Sequence, residues 1–246
     1  MPTMSFEKTP AAKGTEPAIN AVAVALANTP MPVGPANPVG PEGDWDNVSE
    51  AAIELRLGQK TSKFVEDNPE LMGKWVYDKA IRLGPPEDVK AYSPGLTREV
   101  KPDSVLAIIT RNELYFEEDV EFGEGIIPGR WKTNAEARAA GVQYREAAVV
   151  DMLIPFTGEH EQLVVIGGLG FVKARFYAKK AAFRNISQIV HRDEKTWLKG
   201  DKVGGFYELT VTKMQGAKGA YWVAGAKSAG SVPAELREAI REKYGI

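Results

Sequence analysis

The sequence predicts a mainly-β fold with two helices, one between the third and fourth strands and one at the C-terminus. Three observations predict it. Short runs rich in Val, Ile, Tyr and Phe recur through the middle of the chain, separated by turn residues. The stretch Phe171–Arg184 changes to helical spacing. Ser231–Lys243 then carries stop and start signals at its two ends.

The chain has 246 residues and a mass of 26.8 kDa, with 43% hydrophobic and 26% charged residues. That suits one medium soluble domain with an extension, large enough to bury a core without disulfides. There is no cysteine, which excludes disulfide scaffolds, zinc ribbons, iron–sulfur clusters and thiol nucleophiles. His160 and His191 are the only histidines, too few for a histidine-rich metal site. No apolar run approaches the roughly 20 residues that cross a bilayer, and the N-terminus lacks the order of a secretory signal. A cytoplasmic location with no membrane partner is expected.

Residues 1–44 hold half of the 16 prolines, from Pro2 to Pro41, and one aromatic residue, Phe6. Such a chain lacks the backbone donors for helix or sheet, so a flexible Pro-rich arm is expected. Within it, Asn20–Ala27 is too short to be a stable helix alone, and Val22, Val24 and Leu26 suit docking on a neighbouring subunit.

The body begins near Trp45. Ile53, Leu55 and Leu57 alternate with Glu54 and Arg56, a strand with one buried face. Lys74–Asp78 is a second strand, ended by Gly84-Pro-Pro86. Ser104–Phe116 is a long one, and Ala147–Phe156 with Gln162–Ile166 is a hairpin joined by Thr157–Glu161. In Phe171–Arg184, Val172, Phe176, Lys179/Lys180 and Phe183 fall at helical spacing after the break Gly167-Gly-Leu-Gly170. Gly205–Lys213 and Gly219–Ala224 form a final hairpin around Gln215–Gly219. The last helix has Ser231 as N-cap, Pro233 in its first turn and Gly245 past its end. Leu236, Ala239, Ile240 and Tyr244 make one apolar stripe that must pack on its own barrel or on a second subunit. This order matches an OB-like Greek-key barrel, spanning 45–230, with 231–246 as a C-terminal helix.

The net charge of −2 hides an asymmetry: Phe171–Gly230 has 12 Lys/Arg and 4 Asp/Glu, a balance of +8, and the rest carries −10. Aromatic residues are interleaved with these cations. Lys173, Arg175, Tyr177, Lys179, Lys180 and Arg184 share the predicted helix. Arg192, Trp197 and Lys199 follow in the expected loop, and Tyr207, Lys218 and Trp222 lie on the last strands. A single-strand binder needs a positive groove with aromatic faces for base stacking, so these twelve residues are the candidate nucleic-acid site. Strand alternation sends Phe206 and Tyr207 to opposite faces, and likewise Tyr221 and Trp222, so one of each pair is expected in the core. The plainer account makes all of them core or incidental surface aromatics.

Other chemistries find less support. There is no Gly-x-Ser-x-Gly elbow and no His with a spaced carboxylate partner. His160 reads as a loop residue and His191 as a residue just past the helix. Gly167–Gly170 lacks the Lys-Ser/Thr of a phosphate loop and reads as a turn exposing a helix N-terminus. Glu117, Glu118, Asp119, Glu121 and Glu124 lack the ligand pattern of a calcium loop and read as a solvated hairpin tip. No catalytic residue, metal or cofactor is assigned.

Several segments carry a resemblance. They include Asn47–Ser62, Met72-Gly-Lys-Trp75, Leu114–Glu118, Ala139-Ala-Gly-Val142, Val149–Leu153 and Lys218-Gly-Ala-Tyr-Trp222. In these, over residues 47–224, the chain resembles a loose group of bacteriophage-encoded proteins related to single-stranded DNA binding and recombination. The resemblance implies a non-enzymatic, OB-fold-type protein of phage or mobile-element DNA replication or recombination. Its implied partner is single-stranded DNA, with RNA as the open alternative. The chain departs from the many replication proteins of this kind that end in an acidic tail, because it ends in a mixed-charge helix. The alternative function is a virion structural or assembly protein whose arm and aromatic strands join subunits. A homo-oligomer is expected in either case.

Overall fold

The computed structural model describes residues 52–77, 81–84, 89–92, 100–101, 104–120, 127–217 and 219–246. The Pro-rich arm, with Asn20–Ala27, and the candidate residue Lys218 lie outside them, as do Glu121 and Glu124.

The fold is mainly β: a curled, mixed sheet with a few helices. Two short strands, β1 (Ile53–Glu54) and β2 (Arg56–Leu57), replace the single strand expected there, with Leu55 buried between them. A helical turn α1 (Lys63–Asp67), strands β3 (Trp75–Tyr77) and β4 (Ile81–Arg82), and a second helical turn α2 (Val89–Tyr92) follow. The long strand β5 (Val105–Glu118) leads to β6 (Arg130–Trp131) and helix α3 (Asn134–Ala139). Thr133 and Glu136 close α3 with a reciprocal capping box. Then come β7 (Tyr144–Pro155), β8 (Leu163–Ile166) and β9 (Leu169–Lys179). A π-turn (Phe183–Ser187) runs into α4 (Gln188–Thr196), and β10 (Gly205–Gly216), β11 (Gly219–Ser231) and α5 (Ala234–Tyr244) complete the chain.

The main sheet has the order β1-β9-β7-β5-β10-β11, with β6 on β5 and β8 on β9. All its pairs are antiparallel except β1 with β9. Strands β2, β3 and β4 form a separate small sheet.

The predicted helix Phe171–Arg184 is corrected: its first nine residues are strand β9, and the helix begins only after Lys180. Val172 and Phe176 are four residues apart, a separation that fits a helix turn and a strand face equally well. Ala174 and Ala178 decide between them. Both are buried with Val172 and Phe176, while Lys173, Arg175, Tyr177 and Lys179 stay partly exposed. That is period two, imposed by pairing with β7 along nine residues from Ala147↔Lys179 to Pro155↔Phe171. His191, Arg192 and their neighbours, expected beyond the helix, are therefore in α4.

Gly167-Gly168 is a two-residue hairpin turn between Ile166 and Leu169, with φ of 57° and 80°. Positive φ at both positions is the geometry that glycine alone adopts freely, and it matches the twist of the strands. The expected helix N-terminus at this site does not exist.

Both faces of the sheet are covered. One face packs with Trp75 and Tyr77 of β3 and with Phe183, Ile186 and Val190 of the helical segment. On the other, α5 places Leu236 and Ile240 against Leu106, Ile108, Phe171 and Phe206. The terminal stripe thus packs on its own sheet. Helix α5 starts after Pro233, without a side-chain cap from Ser231, and ends at Gly245 with φ of 65° as expected. Among the described residues, no helix is long and apolar enough to cross a membrane.

Candidate functional site

Strand β9 pairs with β7, β8 and β1, and among the described residues β11 pairs only with β10. Between the end of β9 and the tip of β11 lies a groove of about 440 Å³. Of the twelve predicted site residues, Tyr177, Lys179, Lys180 and Trp222 line it, joined by Tyr221 and by Arg56 of β2.

The backbone around β2 shapes this groove. Gln59 behaves as a surrogate strand, its amide Nε2 donating to the Trp222 carbonyl at 2.6 Å and its Oε1 accepting from the Trp222 N–H at 3.1 Å. Gly73 has φ of 72°, and a Cβ there would stand 2.5 Å from Trp222 Nε1, so the indole lies directly against this backbone. Lys213 Nζ lies 5.7 Å from the Trp222 ring centroid. Trp222 is therefore a clamped wall of the groove. Tyr221, 44% exposed, is the aromatic available for stacking.

The electrostatics are set mainly by β9. Lys180 is exposed at φ of 53° and forms no ion pair among the described residues. Lys179 donates to Glu117 Oε2 at 2.7 Å, and Arg56 pairs with Glu54 at 2.7 Å. Arg175 forks onto both carboxylate oxygens of Asp151 at 2.7 and 3.0 Å. The Arg175–Asp151 hydrogen bond holds this guanidinium above its ordinary pKa. Lys173 Nζ sits 4.6 Å from the Tyr244 ring of α5. Much of the predicted cationic strip is thus neutralised or covered by the protein itself.

Glu117 is not at a solvated tip, as expected, but fully buried within β5. Directly across from it are Arg130 on β6 and Arg145 on β7. Burial alone raises its carboxyl, but hydrogen bonds and charge from Lys179, with Arg145 and Arg130, outweigh burial and hold it below the usual carboxylate range. Arg130 also lies 5.6 and 5.7 Å from the ring centroids of Tyr115 and Tyr177.

The remaining predicted residues lie apart from the groove lining. Arg184 is exposed on the π-turn, and Arg192 is paired with Asp193 at 2.9 Å. Trp197, 38% exposed, and Lys199 sit beyond the far end of α4. Tyr207 is corrected from ligand-facing to core. It and Phe206 are both 0% exposed, because each face of β10 is covered by its own apolar cluster. Alternation does separate the two rings, but neither direction leads to solvent. The Tyr207 hydroxyl is buried without a hydrogen-bond partner among the described residues. Tyr207→Phe is expected to stabilise the fold by about 1 kcal/mol, since an unsatisfied buried hydroxyl is removed at constant shape. Denaturant titration would read this.

Reasoning from sequence missed Gln59, Arg130 and Arg145. Gln59 and Trp222 are 163 residues apart, a separation no local pattern bridges. Arg130 and Arg145 fall outside the basic segment, though each lies opposite Glu117 once the strands pair. Among the described residues, no group of acids and histidines has the arrangement of a metal site. Compared with protein-family models, with curated proteins and with solved structures, the chain matches none, so the site is read from its own geometry.

Proposed function

We propose that the protein binds single-stranded DNA without catalysing a reaction, in the replication or recombination of a phage or other mobile element. The groove is the proposed path. What carries the reading is the meeting of Tyr177, Tyr221 and Trp222 with Lys179, Lys180 and Arg56 in one open channel. Flat π faces with flexible cations suit stacked bases and a phosphate backbone of any sequence.

The finer fold reading belongs to the same proposal. Strands β5, β7 and β9 form a meander, β10 returns to β5, and a helical segment lies between β9 and β10. This order supports the reading of an OB-like barrel opened between its third and fifth strands, with the groove along that seam. A homo-oligomer tied by the Pro-rich arm is part of the proposal.

Fluorescence anisotropy with labelled oligothymidylate tests it. Affinity is expected to fall from 50 to 200 mM salt, with a log–log slope of about −0.7 per phosphate contact. Tyr221→Ala should cost roughly 1–3 kcal/mol of stacking, about fivefold or more in Kd. Lys180→Glu should weaken binding and flatten the slope. An RNA oligomer of equal length compares the two sugars. Absent binding at low salt, with concentration-dependent particles in light scattering, would replace the proposal with the assembly-protein reading.

A further inference from the structure

We propose that the binding path leaves the groove along the exposed face of the π-turn and α4. A stripe of cations there holds backbone phosphates of the same single strand, and Trp197 stacks one of its bases. This second surface presupposes the nucleic-acid reading of the groove and lengthens the site beyond it.

The two surfaces are continuous. Lys180, Ala181 and Ala182 line the groove, and the chain passes directly from them into the π-turn at Phe183. Phe183, Ile186, Val190 and Asp193 are buried at spacings of three or four residues, which fixes the inward side. Arg184, Gln188, His191 and Lys195 are exposed at i, i+4, i+7 and i+11, so they form one outward stripe. From Arg184 to Lys195 the stripe runs about 17 Å at the helical rise, long enough to meet more than one phosphate. Trp197 and Lys199 follow at its far end.

The face has one sign. Of the exposed residues from Lys180 to Gly200, five are Lys or Arg and none is Asp or Glu. Lys180, Arg184, Lys195 and Lys199 form no ion pair among the described residues. Arg192 pairs with the buried carboxylate of Asp193, yet its own side chain stays 66% exposed. Arg192 and Lys195 are three residues apart, a spacing at which like charges destabilise a helix. A face shaped for solvent alone mixes both signs. Helix α5 is of that kind: Glu235, Glu238 and Glu242 are interspersed with Arg237, Arg241 and Lys243, and Arg241 pairs with Glu238 at 2.6 Å.

Backbone conformation singles out the two ends of the stripe. Lys180 and Lys199 have φ of 53° and 52°, the only positive values among the described residues other than glycine. A Cβ is disfavoured there, and glycine would relieve both positions. A lysine held this way at each end of an unpaired cationic face points to a ligand that needs the ammonium groups. Trp197 supplies the flat surface. Its indole lies against Gly205, where an added Cβ would stand 3.1 Å from Cη2, and the residue remains 38% exposed. An aromatic face among free cations is the combination that a stacked base and its phosphates require.

Oligothymidylates of two lengths test the stripe, about 5 nucleotides for the groove alone and about 16 for both surfaces. Wild type should bind the longer strand with a salt slope steeper by about 0.7 for each added phosphate contact. Arg184→Gln combined with Lys195→Gln should weaken the longer strand about tenfold and flatten its slope by about 1.4, leaving the shorter strand unchanged. Trp197→Ala should weaken the longer strand alone, by about fivefold or more. Lys243→Gln, a cation removed from α5 on the opposite face of the sheet, should alter neither strand. Lys199→Gly should raise the melting temperature while weakening the longer strand, a pair of opposite effects that a purely structural lysine would not give.

The lengths separate the two surfaces. Equal affinity and slope for the longer strand in wild type and the Arg184/Lys195 variant overturn the stripe, and binding of the shorter strand then leaves the groove reading standing. If the shorter strand fails to bind wild type while the longer one binds and responds to the stripe substitutions, the stripe holds and the groove reading falls. Absence of binding at both lengths rejects the two together. The Arg184, Lys195 and Lys199 side chains are all exposed, so their variants decide the matter even where Trp197→Ala fails to fold.

Discussion

Glu117→Gln is expected to destabilise the fold by roughly 3 kcal/mol at neutral pH, toward the lower end for breaking a buried ion pair. The variant leaves three cations around an uncharged amide. The loss stays at the lower end because all three keep some access to water. The pH dependence identifies the cause. The Glu117 pKa is depressed in the folded chain, so its contribution is complete above the ordinary glutamate value of about 4.3 and fades as pH falls through the folded value. Chemical denaturation should therefore show the gap between wild type and Glu117→Gln closing on acidification below about pH 4. A gap of constant size down to pH 2 would mean that the side chain matters through packing and not through charge.

Gly58→Ala should be as damaging, by roughly 3 kcal/mol, and should also open the groove. A Cβ at Gly58 would stand 2.0 Å from the Leu71 carbonyl oxygen and 3.2 Å from Val65. The first obstacle is backbone, which cannot rotate away as a flexible side chain would. The same glycine exchanges backbone hydrogen bonds across this crossing: its N–H donates to Lys74, and its carbonyl accepts from Gly73 at 2.9 Å. Forcing the segments apart moves Gln59 off the Trp222 backbone and Gly73 off the indole. The expected signature is a lower denaturation midpoint together with a red-shifted tryptophan emission in the native state. Unchanged stability would show that the crossing can widen at little cost.

Much of the strand framework was legible because it is written locally. The runs that became β5, β7, β8, β10 and β11 carry β-branched and aromatic residues between turn residues, and each formed within a few residues of its expected bounds or extended beyond them. The terminal helix was legible for the same reason: Leu236 and Ile240 share a face, and Gly245 supplies the left-handed stop. Residues 171–179 were misread where two periods coincide, since a four-residue spacing fits both a helix and one face of a strand. Ala174 and Ala178 held the discriminating signal, but alanine favours helices on its own, and only a neighbouring strand makes it a good strand residue.

By itself, then, the amino-acid sequence determined the local elements, the absence of thiol chemistry and the concentration of positive charge after Phe171. Tertiary structure alone decided which of those charges face solvent. Lys179 and Arg175 were legible as cations, but their carboxylate partners, Glu117 and Asp151, come from other strands and neutralise much of the strip. Tyr207 was legible as an aromatic on a strand, but the packing of both sheet faces buried it. The groove is likewise a product of long-range pairing, joining β2, β9 and β11 through the contact of Gln59 with Trp222. Propensity and periodicity act over a few residues. Cross-strand electrostatics and burial depend on partners brought together only when the sheet closes on its core.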